Sequence, residues 1–229
     1  MTTGKYEIEE TNLIRHLLKE IDTFVNIGAH VGYYCLHALQ LGKQVIAVEP
    51  MERNVHYLLR NLSDNNWTSS SEVFPQAVAD CSGVIEIWGG GGATGTGASI
   101  VKGFSGNPAS YVRRVPVVTL DRLLSGISQK KRLLILVDVD GAEYSLLQGS
   151  RETLQCKPRP IWFMEIVTTT NQPKGIHVNP NLVATFETFF ANGYKAVTAD
   201  LQQNPVSFQE VNAVAEGKLD FTTQNFIFR

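Results

Sequence analysis

The 229-residue sequence is poor in charge: 18% of its residues are Asp, Glu, Lys or Arg, against roughly 25% in an ordinary soluble domain. With 43% hydrophobic residues, the apolar surface to be hidden is large for the charge available, which excludes disorder as the main state. No basic block interrupts the sequence, and 20 Lys plus Arg against 22 Asp plus Glu leave a formal charge of −2. The electrostatic footprint of a nucleic-acid-binding protein is missing, so nucleic acid is not expected as a partner. Long apolar runs are missing too. A stretch such as Leu133 to Val137 is far below the ~20 residues a membrane span needs, and the first residues are polar where a signal peptide has its apolar core. No membrane partner and a cytoplasmic location are the corresponding expectations. Cysteine is scarce: Cys35, Cys81 and Cys156 are odd in number and widely spaced, which argues against a disulfide framework and against a CxxC metal site.

Helical and strand periodicities alternate along the chain. Leu13, Ile14, Leu17, Leu18 and Ile21 recur at helical spacing, followed by a strand-like Phe24 to Ile27, a helix from Tyr33 to Leu41 closed by Gly42, and a β-branched run from Gln44 to Val48. A helical stripe through Met51, Val55, Leu58, Leu59 and Leu62 and a strand from Glu72 to Pro75 repeat the unit. The turn at Asp80 to Gly83 and the alternation around Glu86 predict a hairpin-like excursion. Val115, Val117 and Val118 then resume strand character, and Leu133 to Val137 and Ile161 to Val167 read as buried parallel strands. A helix is predicted from near Pro180, capped by Asn179, with late strands over Tyr194 to Thr198 and Asn225 to Phe228. This is an α/β chain with a mainly parallel sheet, and no interdomain linker interrupts it.

Three constellations fall at strand ends, where open α/β sheets bind ligands. The first is Asn26-Ile27-Gly28-Ala29-His30-Val31-Gly32, a Gly-containing turn between strand and helix that lacks the middle glycine of the nicotinamide fingerprint G-x-G-x-x-G. The second is Glu49, just before Pro50 and twenty-one residues after Gly28, placed to accept hydrogen bonds from a ribose diol; an acid facing a helix N-terminus is the plainer alternative. The third is Asp138-Val139-Asp140-Gly141-Ala142-Glu143. If the strand persists to Asp140, both aspartates point to one side, with Glu143 close by. Carboxylates crowded there are costly unless a cation, a proton or a donor-rich ligand offsets them; a sulfonium is one such cation and a hard metal such as Mg²⁺ or Ca²⁺ another, although no metal ligand is assigned, and helix-capping acids are the plainer alternative. Glu165 ends the next strand among apolar neighbours, where it could hold a substrate hydroxyl, and His30 and His177 are the histidines in turn or loop positions.

These stretches resemble the FkbM family of S-adenosylmethionine-dependent methyltransferases over roughly Val25 to Ile166. The similar segments are VNIGAHVGYY, VIAVEP, the helix through Asn61-Leu62, FPQAVAD, VPVVTLDRLL, LVDVDGAEYSLLQGS and FMEI. The resemblance implies a single Rossmann-like class I methyltransferase domain over 1–229, with a seven-stranded, mainly parallel sheet, helices on both faces and an antiparallel last strand. Residues 1–22 would form an N-terminal helical segment and 89–110 a Gly-rich substrate-side loop. It implies S-adenosyl-L-methionine as cofactor, with Asn26, Ile27, Gly28, Ala29, His30 and Gly32 along its methionine part. Glu49 and Pro50 would lie at the ribose, Gln76, Ala77 and Val78 along the adenine, and Asp138 near the amino group and the transferred methyl. Asp140 and Glu143 would shape the substrate side. Apart from the resemblance, Ser99 and His177 are expected on that side too, and Asp138 first, or else Glu165 or a loop histidine, could take the acceptor's proton. The sequence departs from the family pattern in having Asn at 26 where Asp is usual, Asp at 140 where Glu is usual, and His at 30 in place of a frequent Asn.

The expected activity is O-methylation of a hydroxyl on a sugar, glycan or secondary metabolite. A nicotinamide-dependent oxidoreductase and a non-catalytic S-adenosylmethionine-binding module are the alternatives. The six glycines between Gly89 and Gly97 lie away from any helix N-terminus that could cradle phosphate, and with Ala98, Ser99 and Ile100 they read as a mobile lid on the acceptor side or, equally, as a plain flexible loop.

Overall fold

The computed structural model describes residues 7–91, 96–108, 111–127 and 131–229. Its elements in chain order are α1 (Ile8–Leu17), β1 (Thr23–Ile27), α2 (Tyr33–Gln40), β2 (Gln44–Val48), α3 (Glu52–Asp64), β3 (Ser71–Phe74), β4 (Ala77–Val78), β5 (Gly83–Trp88) and β6 (Val112–Val118). They continue with α4 (Leu120–Leu123), β7 (Leu133–Val137), α5 (Glu143–Gln148), α6 (Arg151–Gln155), β8 (Ile161–Glu165), α7 (Leu182–Ala191), β9 (Ala196–Thr198), β10 (Pro205–Val206), α8 (Phe208–Ala215) and β11 (Asn225–Phe228).

The main sheet runs β10-β9-β11-β8-β7-β1-β2-β3. Strands β3, β2, β1, β7 and β8 are parallel, and β11 inserts antiparallel between β8 and β9. This is the seven-stranded, mainly parallel sheet with an antiparallel last strand that the family resemblance implies, extended by β10, an eighth strand of two residues at the edge. The predicted hairpin is a separate three-stranded sheet, β4-β6-β5, in which β5 and β6 pair antiparallel from Gly83↔Val117 to Trp88↔Val112. The Gly-rich stretch is the connection between those two strands.

Alternation along the central strands divides the core into two layers. Leu133, Ile135 and Val137 of β7, with Val25 and Ile27 of β1, pack among α4, α5, α6, α7 and α8. Leu134 and Leu136, with Phe24, face α1, α2 and α3 instead. A side-chain period of two leaves each strand no polar face, which is why β1 and β7 are buried at every position. Asn26 therefore lies on the α2 side of β1.

Helix α7 begins two residues later than its sequence signal suggests. Asn179 is buried and donates through Nδ2 to the Val167 carbonyl at 3.0 Å, while its Oδ1 accepts from the Asn181 amide at 2.9 Å. Both ends of its amide thus tie the loop to the end of β8, and Asn181 becomes the residue preceding the helix. Helix α8 has a complete capping box between Ser207 and Glu210. Among the described residues, no helix is long and apolar enough to cross a membrane.

Candidate active site

The order of the parallel strands reverses between β1 and β7, the place where open α/β sheets leave a crevice outside their carboxyl ends. A cavity of about 250 Å³ opens there, lined from four strand ends by Gly28, Glu49, Asp138 and Glu165. Its walls also include Ile27, His30, Pro50, Gln76, Ala77, Val78 and Asp140.

The turn after β1 is held by the neighbouring strands. The amides of Gly28 and Ala29 both donate to the Val48 carbonyl, at 2.9 and 3.0 Å, and the Asp138 amide donates to the Ile27 carbonyl at 3.0 Å. Gly28 has φ 84°, and a side chain there would drive its Cβ into the Asp138 backbone. Glycine thus meets both a left-handed conformation and a close approach. His30 has φ 50° and turns its amide toward Glu49 Oε2, at 2.8 Å.

Glu49 is 4% exposed, and its other oxygen accepts from the Met51 amide at 2.9 Å and from Asn54 Nδ2 at 3.1 Å. Burial pushes its pKa up, opposed by these three hydrogen bonds. A carboxylate offers about four acceptor positions, so roughly one remains, on Oε2. That accommodates one donated hydroxyl hydrogen bond where the sequence suggested two.

The second acidic group departs from the strand geometry expected of it. Strand β7 ends at Val137, and Asp140 sits at φ 50° in a turn. Asp138 and Asp140 both reach the cavity through this turn, not through a shared strand face. Asp138 is exposed and lines the cavity. Its pKa is raised well above the usual carboxylate range, first by burial and then by the negative charges of Glu165, Asp140, Glu7 and Glu143. Asp140 is raised by burial and by Glu49. Glu165 is pushed up to about 7 by burial and by the charges of Asp140, Glu7 and Glu10.

Several residues expected to line the site are placed elsewhere. Glu143 is fully enclosed and accepts from the Gly141 amide at 2.8 Å, so it braces the turn from behind, and burial raises it to about 7. Ser99 is buried, donates to the Asp140 carbonyl at 2.5 Å and accepts from the Val101 amide at 2.9 Å, so its hydroxyl is engaged internally. His177 is exposed and is not among the cavity-lining residues. Asn26, Ala29 and Gly32 lie behind the lining. Asn26 donates to Cys35 Sγ at 3.4 Å and leaves its Oδ1 without a partner, and a Cβ on Gly32 would meet Leu58.

The described part of the Gly-rich connection is anchored at Ser99. Ser99 pairs with Trp88 through both backbone groups, and Thr96, Gly97, Ala98 and Ile100 wall the cavity from this tethered position. Residues 92–95 of the same connection, with 109–110 of the expected substrate-side loop and 1–6 of the N-terminal segment, lie outside the described residues. Sequence reasoning passed over Met51 and Asn54, which also line the cavity. The available signal was a lone Asn five residues after Glu49 in the first turn of α3. Among the described residues, no group of three His, Cys, Asp or Glu is arranged to hold a metal ion.

The family model for the Methyltransferase FkbM domain matches residues 26–196. Among solved structures, the chain is similar to the methyltransferase FkbM from Methylobacillus flagellatus KT, with 17% identity and a TM-score of 0.53 over 91% of this chain. It spans 43% of that protein's chain. It is also similar to the METTL16 MTase domain, with 11% identity and a TM-score of 0.50, over 100% of this chain and 68% of that one. No curated protein matches the sequence. At these identities the structural likeness speaks for the fold, a Rossmann-like class I methyltransferase sheet as the strand order already indicated. The matched segment runs from β1 into β9 and contains Gly28, Glu49, Asp138 and Glu165. The chain therefore belongs to the FkbM methyltransferase family.

Proposed function

We propose that the chain transfers a methyl group from S-adenosyl-L-methionine to a hydroxyl oxygen of a sugar, a glycan or a secondary metabolite. The observation that carries this reading is the charge of the cavity: Glu49, Asp138, Asp140 and Glu165 line it, and no Lys or Arg among the described residues does. Carboxylates crowded in a desolvated site either hold protons or hold a cation. A ligand with a sulfonium and an ammonium fits that demand. The cradle at Gly28, too tight for a side chain, lets such a ligand lie against the backbone.

When bound, this cofactor supplies a methyl carbon on a positively charged sulfur, the electrophile of an O-methylation. The residues around it have separable tasks. Glu49 would accept a ribose hydroxyl on its remaining acceptor position, and its three internal hydrogen bonds hold it in place. Asp138 would hold the ammonium, and Gln76, Ala77 and Val78, which line the cavity, would lie along the adenine. Glu165 takes the proton of the acceptor hydroxyl on a carboxylate oxygen, and a pKa of about 7 suits a general base working near neutral pH. The tethered segment 96–100 walls one side of the cavity, which would help to hold acceptor and methyl in line.

Membership of a methyltransferase family replaces the nicotinamide-dependent alternative, and turnover separates an enzyme from a binding module. Incubation with radiolabelled S-adenosylmethionine and a panel of sugars, glycans and polyketides is expected to give label transfer to a hydroxylated acceptor. Binding of NADH with no heat of binding for S-adenosylmethionine would overturn the reading.

A further inference from the structure

A second cavity, of about 400 Å³, lies between the first turn of α3 and the strands of the small sheet. It shares Met51 and Asn54 with the first cavity, and its charge is opposite. Arg53, His56, Tyr57, Tyr111 and Arg113 line it, with Glu52 as the one carboxylate. The Arg113 guanidinium lies 5.4 Å from the centre of the Tyr111 ring and donates through Nη2 to the Tyr111 hydroxyl at 2.9 Å. That contact orients a five-donor planar cation while using one of its donors.

Two of the crowded glycines line this cavity. A Cβ on Gly91 would come within 2.6 Å of the Tyr111 ring, and one on Gly90 within 2.7 Å of Met51 Cε. With glycine at both positions the connection lies against these side chains without displacing them. An anionic group would meet four carboxylates in the first cavity and two guanidinium groups in the second. Anions are excluded from one and attracted to the other.

We propose that this second cavity is a phosphate-binding site, with Arg113 as the principal donor and Arg53 and His56 lining the cavity beside it. Planar guanidinium groups match phosphate oxygens two at a time, and Tyr57 and Tyr111 offer faces to whatever the phosphate is attached to. Asn54 joins the two cavities, since it borders the second and holds Glu49 in the first. The site is defined by binding, independently of methyl transfer, so its failure would leave the O-methyltransferase reading standing.

Calorimetric titration of the full chain with inorganic pyrophosphate, uridine diphosphate and uridine tests the proposal. Both anions are expected to bind saturably, and uridine is not. Arg113→Ala should weaken both anions at least tenfold while S-adenosylmethionine affinity stays within twofold, which checks the fold of the variant. Glu52→Gln, which removes the opposing charge, should tighten them. Uridine diphosphate binding ten times tighter than pyrophosphate, with the excess lost in Tyr57→Ala, would assign a nucleoside-borne phosphate; equal affinities would assign free diphosphate. Absence of saturable binding by either anion, or unchanged binding in Arg113→Ala, would overturn the proposal.

Discussion

A Cβ on Gly28 would lie 1.8 Å from the carbonyl oxygen of Asp138, so the two halves of the crevice meet backbone against backbone. Gly28→Ala must push β7 away from β1 or twist the turn, because no flexible side chain is available to yield. The expected loss is at least about 2 kcal/mol of stability, made up of overpacking and an unfavourable positive φ. Gly126→Ala provides the control: its φ is 83° and no atom lies within 4 Å, so it reports roughly 1 kcal/mol from backbone conformation alone. Urea unfolding of the two variants compares them, and equal losses would mean that the close approach at Gly28 carries no energy.

Glu49 gathers three donors, and its removal strands all of them. In Glu49→Ala the amides of His30 and Met51 and the Asn54 side chain lose their acceptor. Those losses cost stability; cofactor affinity is expected to fall as well, by on the order of 1 to 3 kcal/mol, because the ribose hydroxyl assigned to Glu49 loses its acceptor. Titration calorimetry with S-adenosylmethionine measures it, and an unchanged dissociation constant would remove Glu49 from the ribose role.

The raised carboxyl of Glu143 makes the ligand-free protein more stable in mild acid. Its folded pKa of about 7 lies above the ordinary 4.5, so the folded state binds this proton more tightly than the unfolded state does. The resulting stability is fully present below about 4.5 and is lost as pH rises toward 7, on the order of 3 kcal/mol in all. Glu165, also raised to about 7, acts in the same direction. Urea midpoints are therefore expected to fall between pH 5 and pH 8, and Glu143→Gln should flatten the trend. Asp22, held at about 2 by Arg132, stays ionised throughout that window. A wild-type midpoint that rises with pH would contradict the assignment.

Glu165→Gln separates proton removal from binding. The amide keeps the shape of the side chain and cannot accept the acceptor's proton, so kcat should drop by roughly a hundredfold or more. Cofactor affinity should stay within about twofold, and the rise of kcat through pH 7 should disappear from the rate profile. A variant that retains both kcat and the pH profile would move the base elsewhere, Asp138 being the next carboxylate in the cavity.

Much of the site was legible because strand ends are local features. Phe24 to Ile27, Gln44 to Val48 and Leu133 to Val137 announce themselves by apolar runs, and the residue after each run stands at the carboxyl edge. Gly28, Glu49 and Asp138 follow directly, and Glu165 closes a fourth strand. Asn54 escaped notice because a polar residue in the first turn of an amphipathic helix has the same sequence signature whether it faces water or a buried carboxylate. Glu143 and Ser99 were misplaced for a related reason. Their neighbours in sequence say that they stand near the crevice, but not that one turns behind the Asp138–Gly141 turn and the other reaches an Asp140 carbonyl 41 residues away.

The sequence by itself determined the alternation of helix and strand, the glycine turn and the acids that follow the strands, since all of these rest on short-range periodicity and backbone preference. Only the tertiary structure decided which of those side chains share a cavity. That depends on the positive φ of Asp140, the approach of Gly28 to Asp138 and the docking of the small sheet on α3. The crowded glycines show the difference: their number is visible in the sequence, but that Gly90 and Gly91 make room for Met51 and Tyr111 follows from contacts between distant segments.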